Sequence, residues 1–320
     1  MFFLVKNQED YIFYGGITIF AASASNVLNF WNLRKYIILK PLGNYNFKQH
    51  IKMVITFLSM SIATTIYTNL DSVMLGFMKG DVDVGYYGAA VKIKNILVSL
   101  VTSASAVLLP RASFYVDRNM LEDFYQLLKK TMHFVVLIAC PLALYFMIFA
   151  KEGIFFLSGD AYAGSIIPMQ IIMPTLIFIG MTNIIGIQML VPLGLEKQVL
   201  YSEIAGAVVD LILNTMLIPR FASAGAAVGT LIAEIVVLIW QLAVIRNRKV
   251  NLYGEIKTYK VIIALVIATV TSIWVKGLFS SYFVILLIST VCFFASYGLI
   301  LLILKEQLVK EFMNMTLSKF

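Results

Sequence analysis

Residues 63–78, ATTIYTNLDSVMLGFM, close an apolar run that begins near Ile55. The run is long enough to cross a bilayer, for which about 20 residues suffice. Yet it carries hydroxyls, an amide at Asn69 and a carboxylate at Asp71. A charge near the centre of a membrane helix costs about 2.5–3.5 kcal/mol even on the lenient insertion scale. A partner or water must offset that cost, so the fold has to answer what Asp71 faces.

The rest of the chain has the same character. It is 60% hydrophobic and 13% charged, with a mean hydropathy of +0.89, against about 25% charged residues in a soluble domain. Apolar windows place nine spans, at 11–33, 54–78, 86–109, 131–150, 165–190, 198–219, 223–245, 260–277 and 281–304. The opening MFFLVKNQED has a short apolar run and no small-residue cleavage site, so it does not read as a signal peptide. The net charge of +8 does not indicate a nucleic-acid partner, because the positive residues sit in short loops between apolar runs. Loops near 34–52, 111–130, 197, 246–260 and 305–319 hold 18 of the 25 lysines and arginines, and the opposite set (Lys6, Lys79, Lys151, Arg220, Lys276) holds 5. That bias predicts a cytoplasmic C-terminus and an external N-terminus. Cys140 and Cys292 lie inside apolar runs without metal-ligand or disulfide spacing, and no metal or cofactor is expected.

Two stretches read as amphipathic helices lying at the membrane surface. One is NMLEDFYQLLKK, with Leu121, Phe124 and Leu128 on one face; the other is the tail around Leu308 and Phe312.

Inside the membrane, polar residues recur at three- and four-residue steps, which puts them on single helix faces. Span two carries Ser61, Thr64, Thr68, Asp71 and Ser72; span three carries Lys92, Asn95, Ser99, Thr102 and Ser103. A loop at 79–85 joins them as a hairpin, which would set Asp71 and Lys92 at matching depth and let them pair. Lys94 points elsewhere and reads as snorkelling or touching another helix. A second hairpin carries Glu203, Asp210 and Asn214 on span six and Thr230, Glu234 and Gln241 on span seven, with Asp210 and Glu234 near the midplane. Span one adds Thr18, Ser25, Asn26 and Asn29.

Hydroxyls and amides in a membrane often only bond a neighbouring helix. For Asp71 with Lys92 a buried structural ion pair stands beside a functional role. For Asp210 and Glu234 a structural role stands beside a proton or cation site. Five striped spans together predict a water-filled cavity, with Asp71 facing it. Elsewhere, Pro168, Pro174 and Gly180 weaken span five, and GAAVG at 225–229 offers a small-residue packing face on span seven.

Four stretches carry a family resemblance: IYTNLDSVMLGF, VGYYGAAVKIKNILVSLVTSASAVLLPR, MPTLIFIGMTNIIGIQMLVPLGLEK and SAGAAVGTLIAEIVVLIWQL. In order and spacing over roughly residues 11–245 the chain resembles the Wzx-type polysaccharide flippases. Their superfamily, the multidrug/oligosaccharidyl-lipid/polysaccharide group, also contains multidrug and toxin extrusion transporters. The resemblance implies an all-α integral membrane fold built from two six-helix bundles. This chain would supply the last helix of the first bundle with its linker (1–50), the second bundle (51–246), and two additional spans with a cytoplasmic tail (247–320). About five helices would precede it, and the chain alone would lack one wall of the central cavity.

The function implied is flipping of a polyprenyl-pyrophosphate-linked oligosaccharide across a bacterial plasma membrane by alternating access. A polysaccharide polymerase and assembly proteins are the further partners implied. Lys92, Lys94 and Arg111 are the candidate cations for the pyrophosphate, and Asn95, Asn26 and Asn69 the candidate sugar contacts. Asp71, Asp210, Glu234 and Glu203 are the candidate ion-coupling or cavity charges. The competing reading is a cation-coupled exporter of organic cations, which a net negative cavity would favour. An enzyme is not expected: the external loop 151–164 holds only Lys151, Glu152 and Asp160 as charges, and His50 and His133 form no metal-binding pair.

Overall fold

A computed structural model describes residues 11–33, 35, 47–246, 252 and 257–310 of the chain. Every regular element among them is helical. The chain divides into residues 1–51 and 52–320. The first unit contains helix α1 (Tyr11–Leu33) and the opening turn of α2 (Phe47–Met78). The second contains the rest of α2, α3 (Asp81–Asp117), α4 (Leu121–Ile148), α5 (Ala150–Ser158), α6 (Ile166–Ile172), α7 (Thr175–Thr182), α8 (Glu196–Arg246), α9 (Thr258–Ile273) and α10 (Tyr282–Ile303).

Two antiparallel hairpins frame the second unit. The turn between α2 and α3 is a single tight one at Gly80, whose φ of 94° suits a residue without a Cβ. The reversal in α8 falls at Ala222, where φ 49° and ψ −129° interrupt the helix three residues after Pro219. Its two limbs then run back along each other. A Cβ on Gly225 would stand 2.6 Å from the Leu217 backbone, and one on Gly206 would stand 2.6 Å from Val237. Further along, Gln241 donates to Ser202 at 3.2 Å. The glycine at 225 therefore lets the limbs touch backbone to backbone, and the one at 206 admits the Val237 side chain.

Proline sets the other bends. α3 turns by 42° between Ser103 and Leu108, just ahead of Pro110. The segment read as one span over 165–190 is broken: Asp160–Ile172 meets Thr175–Leu190 at 47°, at Pro174. Beyond Gly180 the chain unwinds slightly into a π-helical stretch, Asn183–Leu190.

Among the described residues, four helices are long and apolar enough to cross a membrane: α4, α8, α9 with its 3₁₀ extension to Gly277, and α10. There are up to six if each bent pair counts as one span. The chain is thus a multi-pass α-helical membrane protein, while the expected count of nine is not established.

The stretch 119–130 does not form a separate surface helix. Leu121–Ile148 is one helix, and Phe124 and Leu128 are fully buried in the core with Met132, Val199 and Ile245. Leu308 is buried against the α4–α9–α10 cluster, and Phe312 lies outside the described residues.

The last two helices pack on each other and on α4 and α5. Three polar latches hold them there. At the turn end Lys276 Nζ donates to Ile148 O at 2.5 Å and pairs with Glu152 at 3.2 Å. Midway, Tyr145 receives a hydrogen bond from Thr290 at 2.8 Å, and Tyr297 donates to Leu137 O at 3.0 Å. At the far end buried Glu306 meets His133 at 2.9 Å and Lys260 at 3.7 Å.

Candidate functional site

The two hairpins meet through a cluster of buried polar side chains. Asp71 is 2% exposed. Its Oδ1 accepts from Asn214 Nδ2 at 2.6 Å, and its Oδ2 accepts from Thr230 at 2.7 Å and from the Tyr87 hydroxyl. Tyr87 and Thr230 hydroxyls also touch, at 2.8 Å. Hydrogen bonds to a charged acceptor contribute about 1.5–3 kcal/mol each. Three of them outweigh the insertion cost of one carboxylate. Asp71 faces donors from three other helical segments and not open water.

The expected pair with Lys92 does not form. The seven-residue loop on which it rested is in fact the turn at Gly80, with α3 starting at Asp81. This brings Tyr87, not Lys92, opposite Asp71. Lys92 lies about 140° round the helix from Tyr87 and is exposed.

Asp210 belongs to the same cluster. It is fully buried, and it lies within electrostatic reach of Asp71 and Glu234. Neither of its carboxyl oxygens, nor Asn214 Oδ1, receives a well-aligned hydrogen bond from a described residue, and the Asp210 carboxyl stands within hydrogen-bonding reach of Asp71 and Asn214. Gly229 explains how they fit: a Cβ there would collide with Asn214 Oδ1 and stand 3.0 Å from Asp210 Oδ1. The cluster thus holds two carboxyls, an amide oxygen and two hydroxyls, with acceptors in excess of donors. A proton or a monovalent cation satisfies such a set. No group of three or more His, Cys, Asp and Glu side chains suited to a metal ion occurs among the described residues.

A cavity of about 290 Å³ opens farther along the same helices, lined by Thr64, Thr68, Lys94, Asn95, Glu203 and Glu234 among others. Helical periodicity links the two levels. Thr68 and Thr64 lie three and seven residues before Asp71, Glu203 seven before Asp210, Lys94 seven after Tyr87, and Glu234 four after Thr230. In this antiparallel arrangement all these steps run in one direction, about 5–10 Å from the cluster. Four helix faces therefore form one continuous polar track. Gln241, with a buried Oε1 that receives no hydrogen bond from any described residue, lies at its far end.

The candidate residues separate cleanly. Lys94, Asn95, Glu203 and Glu234 line the cavity; Asp71 and Asp210 form the buried cluster. Lys94 is 7% exposed and turned inward, not snorkelling. Glu234 sits in the cavity, so Asp210's carboxyl neighbour in the cluster is Asp71. Asn69 is exposed and donates to its own helix at Thr65 O, 2.8 Å away. Arg111 is exposed at the far end of α3, where its Nε donates to Tyr115 at 2.9 Å. Asn26 lies on α1, in the other unit. Many stripe hydroxyls bond their own helix, as Thr68 does to Thr64 O at 2.8 Å and Thr102 to Val98 O at 2.9 Å. Tyr87 was not singled out in the sequence; its position seven residues beyond Gly80 on the Lys94 face is the signal that marks it. Thr182 and Asn183, at the entry to the π-helical stretch, also line the cavity.

This helical architecture has a counterpart among solved membrane-protein structures. The solved structure of "Lipid II flippase MurJ, inward closed conformation" matches with a TM-score of 0.65, over 87% of this chain and 60% of that one; at 16% identity the likeness is one of fold. Residues 1–116 match the family model for "Polysaccharide biosynthesis protein". A "Putative O-antigen transporter" of Escherichia coli K12 is 29% identical over 193 residues, 60% of this chain and 46% of that protein. An uncharacterized membrane protein of Methanocaldococcus jannaschii is 25% identical over 232 residues, 71% of this chain and 45% of that one. The chain is thus similar to polysaccharide biosynthesis proteins over its first 116 residues, and to the O-antigen transporter over 60% of its length. It spans less than half the length of the curated relatives it matches.

Proposed function

We propose that the chain serves in translocating a polyprenyl-pyrophosphate-linked oligosaccharide across a bacterial plasma membrane, with its C-terminus cytoplasmic. The observation that carries this reading is the polar track joining a buried carboxyl cluster to a cavity that contains a lysine. The Lys94 ammonium is suited to a phosphate oxygen. Asn95, Thr64, Thr68 and Gln241 are suited to sugar hydroxyls, and the lipid tail stays in the bilayer. The Asp71–Asp210 pair holds one proton or monovalent cation, because two bare carboxylates side by side repel strongly. Rocking of helix bundles around the site then exposes it to each side in turn.

One observation favours the second reading, a cation-coupled exporter of organic cations. The charged side chains lining the cavity are one lysine and two glutamates, a net negative set. The relatives favour the lipid-linked sugar.

Reconstitution into liposomes separates the two. Flipping of a fluorescent polyprenyl-pyrophosphate sugar, weakened at least tenfold by Lys94→Ala and unchanged by Lys92→Ala, supports the first. Uptake of a cationic dye without lipid flipping establishes the second.

A further inference from the structure

We propose that Lys94 couples the buried cluster to the cavity, as a tethered cation that competes electrostatically with the ion held by Asp71 and Asp210. The inference rests on the ion-holding role of that pair given above and adds the residue that transmits it.

Lys94 has an unusual position among the charged side chains of the track. It is buried, it lines the cavity, and its ammonium is within electrostatic reach of Glu234, Asp71 and Asp210. The carboxyls face it from two levels. Asp71 on α2 and Asp210 on the first limb of α8 lie on the cluster side; Glu203 on the first limb and Glu234 on the second lie on the cavity side. The ammonium is the only cation among the residues lining the cavity.

Charge balance then dictates the linkage. With no ion on the pair, Lys94 offsets the negative charge of Asp71 and Asp210. When a cation or proton occupies the pair, that attraction weakens, and the ammonium becomes available to Glu234 or to an anionic group in the cavity. Ion binding in the cluster and anion binding in the cavity thus favour each other, and reciprocity makes the effect equal in both directions. In water this effect would be slight; over the roughly 10 Å of buried, poorly screened protein between the two levels it is larger.

The test is sodium binding to the purified full chain in lipid nanodiscs, measured with radioactive sodium at constant pH. Wild type is expected to bind sodium and Asp210→Asn to lose it. Lys94→Gln, which removes the competing charge, should tighten sodium binding at least tenfold, while Lys94→Arg should stay within threefold of wild type. Retained sodium binding by Lys94→Gln also shows that the variant is folded. Wild-type binding that Asp210→Asn abolishes but Lys94→Gln leaves unchanged or weakens overturns the role of Lys94 alone. A wild type that shows neither sodium binding nor proton uptake that Asp210→Asn removes, or sodium binding that survives Asp210→Asn, overturns the ion-holding reading and this proposal with it.

Discussion

At the scale of single residues, the periodicity of the sequence placed Asp71, Asp210, Asn214, Thr230 and Glu234 on inward faces. It failed on pairing, because helical spacing gives a face but not the register between two helices. That register was set by one glycine: a turn at Gly80 instead of a seven-residue loop shifts α3 and exchanges Lys92 for Tyr87. A double-mutant cycle should therefore find no coupling between Asp71 and Lys92, and 0.5–3 kcal/mol, about the range for contacting residues, between Asp71 and Tyr87. Thermal unfolding in detergent measures both; coupling to Lys92 would contradict the register. Gly229 gives an independent check. Gly229→Ala pushes a methyl group against Asn214 and Asp210 and should cost about 1–3 kcal/mol, the usual penalty of overpacking. An unchanged unfolding midpoint would show that the cluster is looser than its geometry.

At the scale of elements, apolar length identified most of the helices, and the prolines marked where α3 and the 165–190 segment bend. Less legible was what interrupts α8. Nothing in PRFASAG at 219–225 requires the reversal to fall on Ala222 and not on a glycine, since its place depends on how closely the limbs pack. A residue with a Cβ at φ 49° and ψ −129° carries local strain of about 1–3 kcal/mol. Ala222→Gly relieves it and should raise the unfolding midpoint; a fall would place the strain elsewhere. The beginning of α4 was misread for a related reason. Phe124 and Leu128 looked like a face for the membrane surface, but a stripe does not say what it faces, and here it packs into the protein core.

At the scale of the whole molecule, α9 and α10 are held to α4 and α5 by polar latches at both ends and in the middle. Glu306→Gln removes the charge that Lys260 and His133 face. Breaking a buried pair on one side costs about 3–5 kcal/mol, and hydrogen exchange over 282–303 should rise as the pair loosens. Unchanged protection would show that the apolar contacts suffice. The orientation that charge bias predicts is open to a similar check: a cysteine at Ser158 should react with an impermeant reagent from outside and one at Gln126 only from inside. What lies at the centre of the molecule, the track from Asp71 and Asp210 to the Lys94 cavity, was half legible: the stripes were visible, but not their convergence on two levels. Its function is tested most directly by the ion dependence of transport. Proteoliposomes containing the chain together with the N-terminal bundle that the family resemblance implies are loaded with a fluorescent polyprenyl-pyrophosphate sugar, and flipping is followed with and without a sodium or proton gradient. The account predicts flipping that the gradient accelerates in wild type and leaves unaffected in Asp210→Asn. Gradient-driven flipping that persists in Asp210→Asn would contradict it.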